Sequence, residues 1–313
     1  MYVLKKIPRL VLLLLAVSAA TFLLIKLLPG DPVVSILPPE SSPAQKAAFR
    51  HQYELDRPLV QQYAHWLNGV IHGDLGRQYG GIDEHVTTIL RERLPVTLEL
   101  LILAQLMALA VAIPVALYSA YRADSTLDRA VTTGSFAFLS IPDFALATLL
   151  TFIFATQLKL FPVATFTHLS DSIVGNLRSM ILPSAAIAIG LCAVYIRLLR
   201  ADMIQTLQED FILMARAQGI PPRRILLRHA LRPSSLSLLT IIGINTGALI
   251  GGAVIVEYFF ALPGIGGRLV SALGQRELLV VQGLVLVVAF GYVIVTFLVD
   301  LLYFVLDPRI RHA

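Results

Sequence analysis

Six apolar runs fix what this chain can become: Leu10–Leu28, Leu98–Tyr118, Ala130–Leu158, Ile181–Leu199, Leu236–Tyr258 and Leu278–Val305. Each is about as long as, or longer than, the roughly 20 residues a helix needs to cross a bilayer core. Inside lipid every backbone N–H and C=O must be satisfied within the segment, so such runs are helices. The chain is 57% hydrophobic and 14% charged, where a soluble domain is nearer half and a quarter. The expected fold is therefore all-α, an integral membrane protein of six transmembrane helices.

The formal charge of +5 is distributed by topology rather than gathered into a nucleic-acid surface. Lys5, Lys6, Arg9, Arg122, Arg129, Arg197, Arg200, Arg309 and Arg311 fall on one side of the six spans, while the short loops 159–180 and 259–277 hold few positives. The positive-inside bias then places both termini in the cytoplasm. Residues 1–28 read as a retained signal anchor, with Lys26 near its outer end snorkelling to the headgroups. The polar insertion 29–95 has a slight acidic excess and is expected outside, as a small cap between the first two spans. Residues 41–55 and 59–71 have helical character in it, and Gly73 to Arg77 marks a turn. Its apolar content is too thin for a separate core. Residues 96–306 form the membrane core, and 307–313 a cytoplasmic tail.

The stretch Phe211 to Pro233, FILMARAQGIPPRRILLRHALRP, is the one long inter-span segment rich in positive charge and almost free of negative charge. Phe211, Met214, Ala215 and Gln218 recur at helical spacing, and Gly219 supplies a stop. Pro221 and Pro222 forbid continuation and open a second helix, from about Arg223 to Leu231. Ala215, Ala217 and Gly219 are small enough for another protein to approach the backbone, with Arg216, Arg223 and Arg224 beside them. The segment resembles the EAA loop of ABC importer permeases, although Leu213 stands near the place of that family's leading glutamate. A plain membrane-surface loop attracting anionic lipid is the simpler reading of the same charges.

The chain has no G-x-x-x-x-G-K-[ST], H-E-x-x-H or G-x-S-x-G, and its seven histidines lack ligand spacing. Catalytic and metal sites are not expected. The single Cys192 lies in an apolar run, which excludes a disulfide framework. Gly243, Gly247 and Gly251 recur every four residues in the fifth run, a spacing that serves either plain helix packing or a surface lining the translocation path, with Asn245 among them. Asp143, beside Pro142 within the third run, is costly at membrane depth and expected at a wet cavity or a partner. It either binds a cationic group of a transported substrate, a peptide amino terminus if that substrate is a peptide, or makes a structural hydrogen bond at the proline break. Glu257 closes the fifth run at the outer interface, where it is either a plain interfacial residue or a substrate, cavity or neighbouring-loop contact, and Asp300 is placed to pair with an arginine of the basic loop.

Gly247 to Leu273, GALIGGAVIVEYFFALPGIGGRLVSAL, is similar to the fifth span and outer loop of the B-type permease subunits of dipeptide and oligopeptide ABC importers. LLPGDP at 27–32, GDLGR at 73–77, LPVTLEL at 94–100, MARAQG at 214–219 and DLLYFVLDPRIR at 300–311 extend the likeness over nearly the whole chain. The resemblance implies a type I permease of a bacterial inner membrane that moves short peptides by alternating access. It implies a homologous C-type permease subunit, two cytoplasmic ATPases or one fused ATPase, and an extracytoplasmic solute-binding protein as partners. ATP and Mg would sit on the ATPases and no cofactor on this chain. Relatives carrying nickel, glutathione or another small solute share these loops. A secondary transporter would need ion-coupling carboxylates and inverted repeats, and a membrane enzyme a catalytic constellation; neither set is found.

Overall fold

The computed structural model describes residues 2–27, 31–79, 84–163 and 165–306. Helix α1 (Tyr2–Leu27) is followed by α2 (Pro32–Ile36), α3 (Pro43–Gln52), α4 (Leu59–Ile71) and α5 (Val86–Tyr121). Then come α6 (Thr126–Leu139), α7 (Asp143–Leu150) with a wide π turn at Thr151–Gln157, α8 (Ile173–Leu207) and α9 (Asp210–Ala217). The chain ends with α10 (Pro222–Arg224), a second π stretch (Ile225–Ala230), α11 (Leu231–Phe259), α12 (Ile265–Gln275) and α13 (Leu278–Leu306). Among the described residues β structure is limited to an isolated bridge between Arg77 and His85. Five helices are long and apolar enough to cross a membrane, and the α6–α7 pair counts as a sixth span if it is taken as one.

Local chemistry explains the starts. Asp31 caps α2 by accepting from the Val33 N–H, and Ser42 with Gln45 makes a capping box at α3. Ser125 and Ser172 cap α6 and α8 in the same way. The tail from 307 onward lies outside the described residues, as does the side chain of Asp300.

Several boundaries differ from expectation. Helix α5 begins at Val86, so the turns carrying Arg91, Glu92 and Arg93 are helical and a boundary at 95 falls inside the helix. Pro95 lies inside this helix, since membrane helices tolerate proline where neighbouring groups re-satisfy the freed carbonyl. Helix α8 likewise outruns the expected Ile181–Leu199, with Pro183 inside it. The third span is more than kinked: α6 and α7 meet at 103°. Pro142 takes an extended conformation (ψ 147°) and, like any proline, pushes its predecessor out of the helical region. Pro233 ends nothing, because the helix entered at Pro222 runs through to Phe259. The π stretch just upstream of Pro233 widens the turn where the ring would crowd the His229 carbonyl. The outer loop 259–277 holds a helix of its own, α12.

The chain divides into two compact units, Met1–Thr97 with Pro263–Val293 and Leu98–Leu262 with Ile294–Ala313. In the first, Ile25, Val86 and Ile89 share a core with Ile265, Ala272 and Leu284. A second cluster forms from Val33, Phe49 and Tyr79, against which Tyr53, Leu278 and Leu279 pack. Residues 31–79 are therefore no free-standing fold; they bury their apolar side chains on α12 and α13. Two glycines allow this closeness. Gly76 has φ +100°, and a Cβ at Gly283 would lie 2.8 Å from Val86 Cγ1. Arg268 and Glu277, both buried, pair at 2.5 Å, and the Gln78 amide donates to the other carboxylate oxygen at 2.7 Å.

In the second unit α8 is the axle. It packs against α6, α7 and α11 and is the most deeply buried of the spanning helices. Helix α5 presents Ala104, Ala108, Ala112, Ala116 and Ala120 on one buried face, a small-residue stripe that the sequence reading passed over. On α11, a Cβ at Gly243 would sit 1.9 Å from Val299 Cγ2 of α13, whereas one at Gly251 would meet nothing within 4 Å. Gly243→Leu is expected to destabilise the purified chain by about 1–3 kcal/mol through overpacking. Gly251→Ala is expected to be neutral or to stabilise by up to about 1 kcal/mol through helix propensity. Thermal unfolding of the two variants in detergent checks the contrast.

Candidate functional site

Helix α9 is short but well specified, with Asp210 in its first turn and Arg216 in its last, both matched to the helix dipole. Its end is a Schellman turn: the Gly219 N–H donates to the Arg216 carbonyl at 3.0 Å, and the Ile220 N–H to the Ala215 carbonyl at 3.2 Å. Gly219 has φ +76°, and space around it is open, so the backbone conformation alone demands glycine here. Pro221, extended at ψ 144°, then starts the next helix with Pro222 in its first turn.

The two sides of this elbow differ sharply. Ile212, Ala215 and Ile225 are buried. Phe211, Leu213 and Met214 are exposed, and so are Arg216, Ala217, Gly219, Arg223 and Arg224. Ala215, expected on the outer face with Ala217 and Gly219, is turned inward; the apolar outer face is made by Phe211, Leu213 and Met214 instead. Arg223 and Arg224 stand in the first turn of a long helix, where cations are disfavoured by about 0.3–1 kcal/mol each. Among the described residues no carboxylate pairs with either. Under the elbow lies a cavity of about 660 Å³, bounded by the ends of α5 and α8 and by Arg216, Ile220, Pro222 and Ile225.

The elbow hangs from a buried ion pair that the sequence reading missed. Arg200 of α8 donates from Nε and Nη2 to the two oxygens of Asp128, at 2.5 and 2.6 Å. The Ser119 hydroxyl and the Asp124 N–H also donate to this carboxylate, which is 2% exposed. Thr206 and Ser234 hydroxyls bond at 2.9 Å, tying α8 to the start of α11. Arg197 lies over the Phe136 ring at 4.4 Å. These arginines had been counted only as topology markers.

Deeper in the unit, the Gln105 amide donates to the fully buried Tyr195 hydroxyl at 2.8 Å, with the Asn245 amide beside the same hydroxyl. This places Asn245 in a polar knot joining α5, α8 and α11. Gly247 is buried and Gly251 exposed on the same helix. Asp143 is exposed and opens α7 at the sharp bend, its Oδ1 3.4 Å from where a Cβ of Gly190 would stand. Glu257, expected at the interface, is fully buried at 0% exposure. The structure brings Asn245 to Tyr195 but leaves Asp143, Glu257 and the elbow as separate places.

The ion pair gives a direct test. Asp128→Ala is expected to cost about 1–3 kcal/mol, because it leaves the partly exposed guanidinium without its partner and the Ser119 hydroxyl and Asp124 N–H without their acceptor. The double change Asp128→Leu with Arg200→Met is expected to recover much of that loss, and thermal unfolding of the three proteins measures the coupling.

Among the described residues no group of three or more His, Cys, Asp or Glu side chains is arranged to hold a metal. The chain matches two family models, the binding-protein-dependent transport system inner membrane component over residues 112–312 and that system's membrane component N-terminal region over residues 1–101. A Brucella abortus (strain 2308) protein named for a peptide transport system permease is 38% identical over 310 residues, covering 99% of this chain and 98% of that one. The dipeptide transport system permease protein of Bacillus subtilis (strain 168) is 34% identical over 310 residues, with 99% and 97% covered. An oligopeptide transport system permease protein of the same organism is 32% identical over 313 residues, with 99% of each chain covered. With its membrane-length helices and its full-length likeness to transport permeases, the chain belongs to the family of binding-protein-dependent transport system inner membrane components.

Proposed function

We propose that this chain is one permease subunit of an ATP-driven importer that carries short peptides across a bacterial inner membrane. The observation that carries the reading is the elbow 210–224: exposed apolar residues and two arginines that no carboxylate pairs with among the described residues, carried at the end of α8, in a chain with no nucleotide-binding motif. Such a surface is complementary to a groove on a separate nucleotide-hydrolysing subunit. The names of the relatives supply the peptide substrate, and the similarity along nearly the whole chain supports it.

The partners on this reading are a homologous permease subunit, cytoplasmic ATPases that hold ATP and Mg, and an extracytoplasmic solute-binding protein. The charge distribution supports a topology with both termini and the elbow in the cytoplasm and residues 29–95 outside as a cap. This chain supplies the path and no catalysis. Closing of the ATPases moves α9; the Asp128–Arg200 pair passes that movement to α8 and α6 together. Nucleotide then biases a bundle with two arrangements, one open to each side. The open face at Gly251 is suited to the path or to the second permease subunit. Asp143, a carboxylate at the break between two helices, is the candidate for a substrate amino group.

Gly219→Trp, or charge reversal at Arg223 and Arg224 together, is expected to abolish coupled transport of labelled dipeptide in vesicles carrying all subunits, while membrane insertion stays intact. Normal uptake by these variants removes the coupling assignment. Asp143→Ala is expected to weaken dipeptide affinity with assembly unchanged; unaltered affinity in the same uptake assay removes Asp143 from the binding role.

A further inference from the structure

At the end of α1 two hydrogen-bond donors face one cavity without an oxyanion to receive them. The Lys26 ammonium donates to Gln62 Oε1 at 2.7 Å and lies 5.7 Å from the Phe22 ring centroid. Among the described residues no carboxylate comes within ion-pair distance of it. Gln282, near the start of α13, is 3% exposed, and its Nε2 has no acceptor. Both residues line a cavity of about 410 Å³ bounded by α1, α4, residues 53–55, residues 74–79 and the first turns of α13.

The acidic groups on the wall are already engaged. Glu54 pairs with Arg57 and with His65, each at 3.1 Å, and Asp74 Oδ1 accepts from the Gly76 N–H at 2.9 Å. Among the described residues, what the cavity lacks is therefore an acceptor for these two donors. A buried amide donor left unpaired costs free energy, and an ammonium favours a charged oxygen over a neutral one. Tyr53, Trp66 and Tyr79 give the cavity apolar walls around those donors. The complement is an oxyanion joined to an apolar body.

Position narrows the source. The walls are the last turns of one membrane helix and the first turns of another, so the cavity stands where hydrocarbon gives way to water. Trp and Tyr beside Lys are the side chains suited to that level. We propose that this cavity is a binding site for the headgroup of a phospholipid, whose phosphate oxygens accept from Lys26 and Gln282 while an acyl chain leaves along α1 and α13. The site is independent of the peptide-import reading, since it asks nothing of the elbow or of ATP.

Native mass spectrometry of the full chain in detergent, with short-chain phosphatidylethanolamine and phosphatidylglycerol added separately, tests it. The unaltered chain is expected to retain one lipid. Lys26→Gln and Gln282→Leu should each weaken retention by about tenfold, roughly the loss of one charge-assisted hydrogen bond, and Lys26→Arg should preserve it. Equal retention by all three variants overturns the proposal. So does occupancy by a dipeptide with a free carboxylate but by neither lipid, which would assign the donors to a carboxylate ligand instead.

Discussion

The grip of Arg200 on Asp128 is the contact on which the 98–262 region depends. Taking a carboxylate and a guanidinium out of water is costly, and the cost is recovered only with near-ideal geometry and with the remaining lone pairs filled. Here both conditions hold: two parallel N–H donors from Arg200, with Ser119 and the Asp124 N–H completing the shell. A pair this demanding tolerates little slippage. It fixes the register of α8 against the α5–α6 turn, and α9 begins ten residues after Arg200 on the same run of chain. The elbow is therefore mounted on a member that cannot move without taking α6 along.

A rigid mount matters because α11 is uneven along its length. At Gly243 the helix is pressed onto Val299 so closely that no side chain fits, while a Cβ at Gly251 or Gly252 would meet nothing within 4 Å among the described residues. One face of α11 is locked into its own bundle, through Gly243, Gly247, Ala253 and Val256, and another presents bare backbone at Gly251 and Gly252. Between them Tyr195, Gln105 and Asn245 bring polar groups from three helices together at a buried point. Gln105 and the Tyr195 hydroxyl satisfy each other, while Asn245 Nδ2 has no partner among the described residues, so rearranging this partly satisfied knot would change the spacing of α5, α8 and α11 at once. The helix thus combines a fixed foot with a free face, an arrangement suited to a wall that shifts against something outside this chain.

How much of this was legible in the sequence follows from the range of the forces involved. The spanning runs were legible because lipid imposes one solution on a long apolar segment. Gly219 and the proline pair were legible because Schellman turns and helix starts are local chemistry. Helix ends were not, because α5 and α8 continue beyond their apolar runs into polar sequence, and because segment bounds set at Pro95 and Pro233 fall inside continuous helices. The Asp128–Arg200 pair joins residues 72 apart and leaves no periodic trace. A signal existed all the same: Asp128 is one of two acids in a short loop whose arginines mark the side facing the basic residues. Ala215 was misassigned for a related reason, since small residues three or four apart on a helix mark a close approach without saying whether it is to the protein's own core or to a partner.

Residues 263–293 show the same principle on the other unit. Residues 263–277 read as a loop because glycines and a proline crowd their start, yet they form α12, and with the opening turns of α13 they supply core residues that pack with the segments before α5. Glu277 explains why the two stretches must fold together. Its carboxylate is buried, so it has to be met by Arg268 from nine residues upstream and by Gln78 from 199 residues away. Without residues 31–79 the Glu277 carboxylate loses the Gln78 donor, and without residues 263–293 the Gln78 amide loses its acceptor. The segment between the first two spanning helices is thus part of one folding unit with the stretch before the last, although nearly two hundred residues of chain separate them.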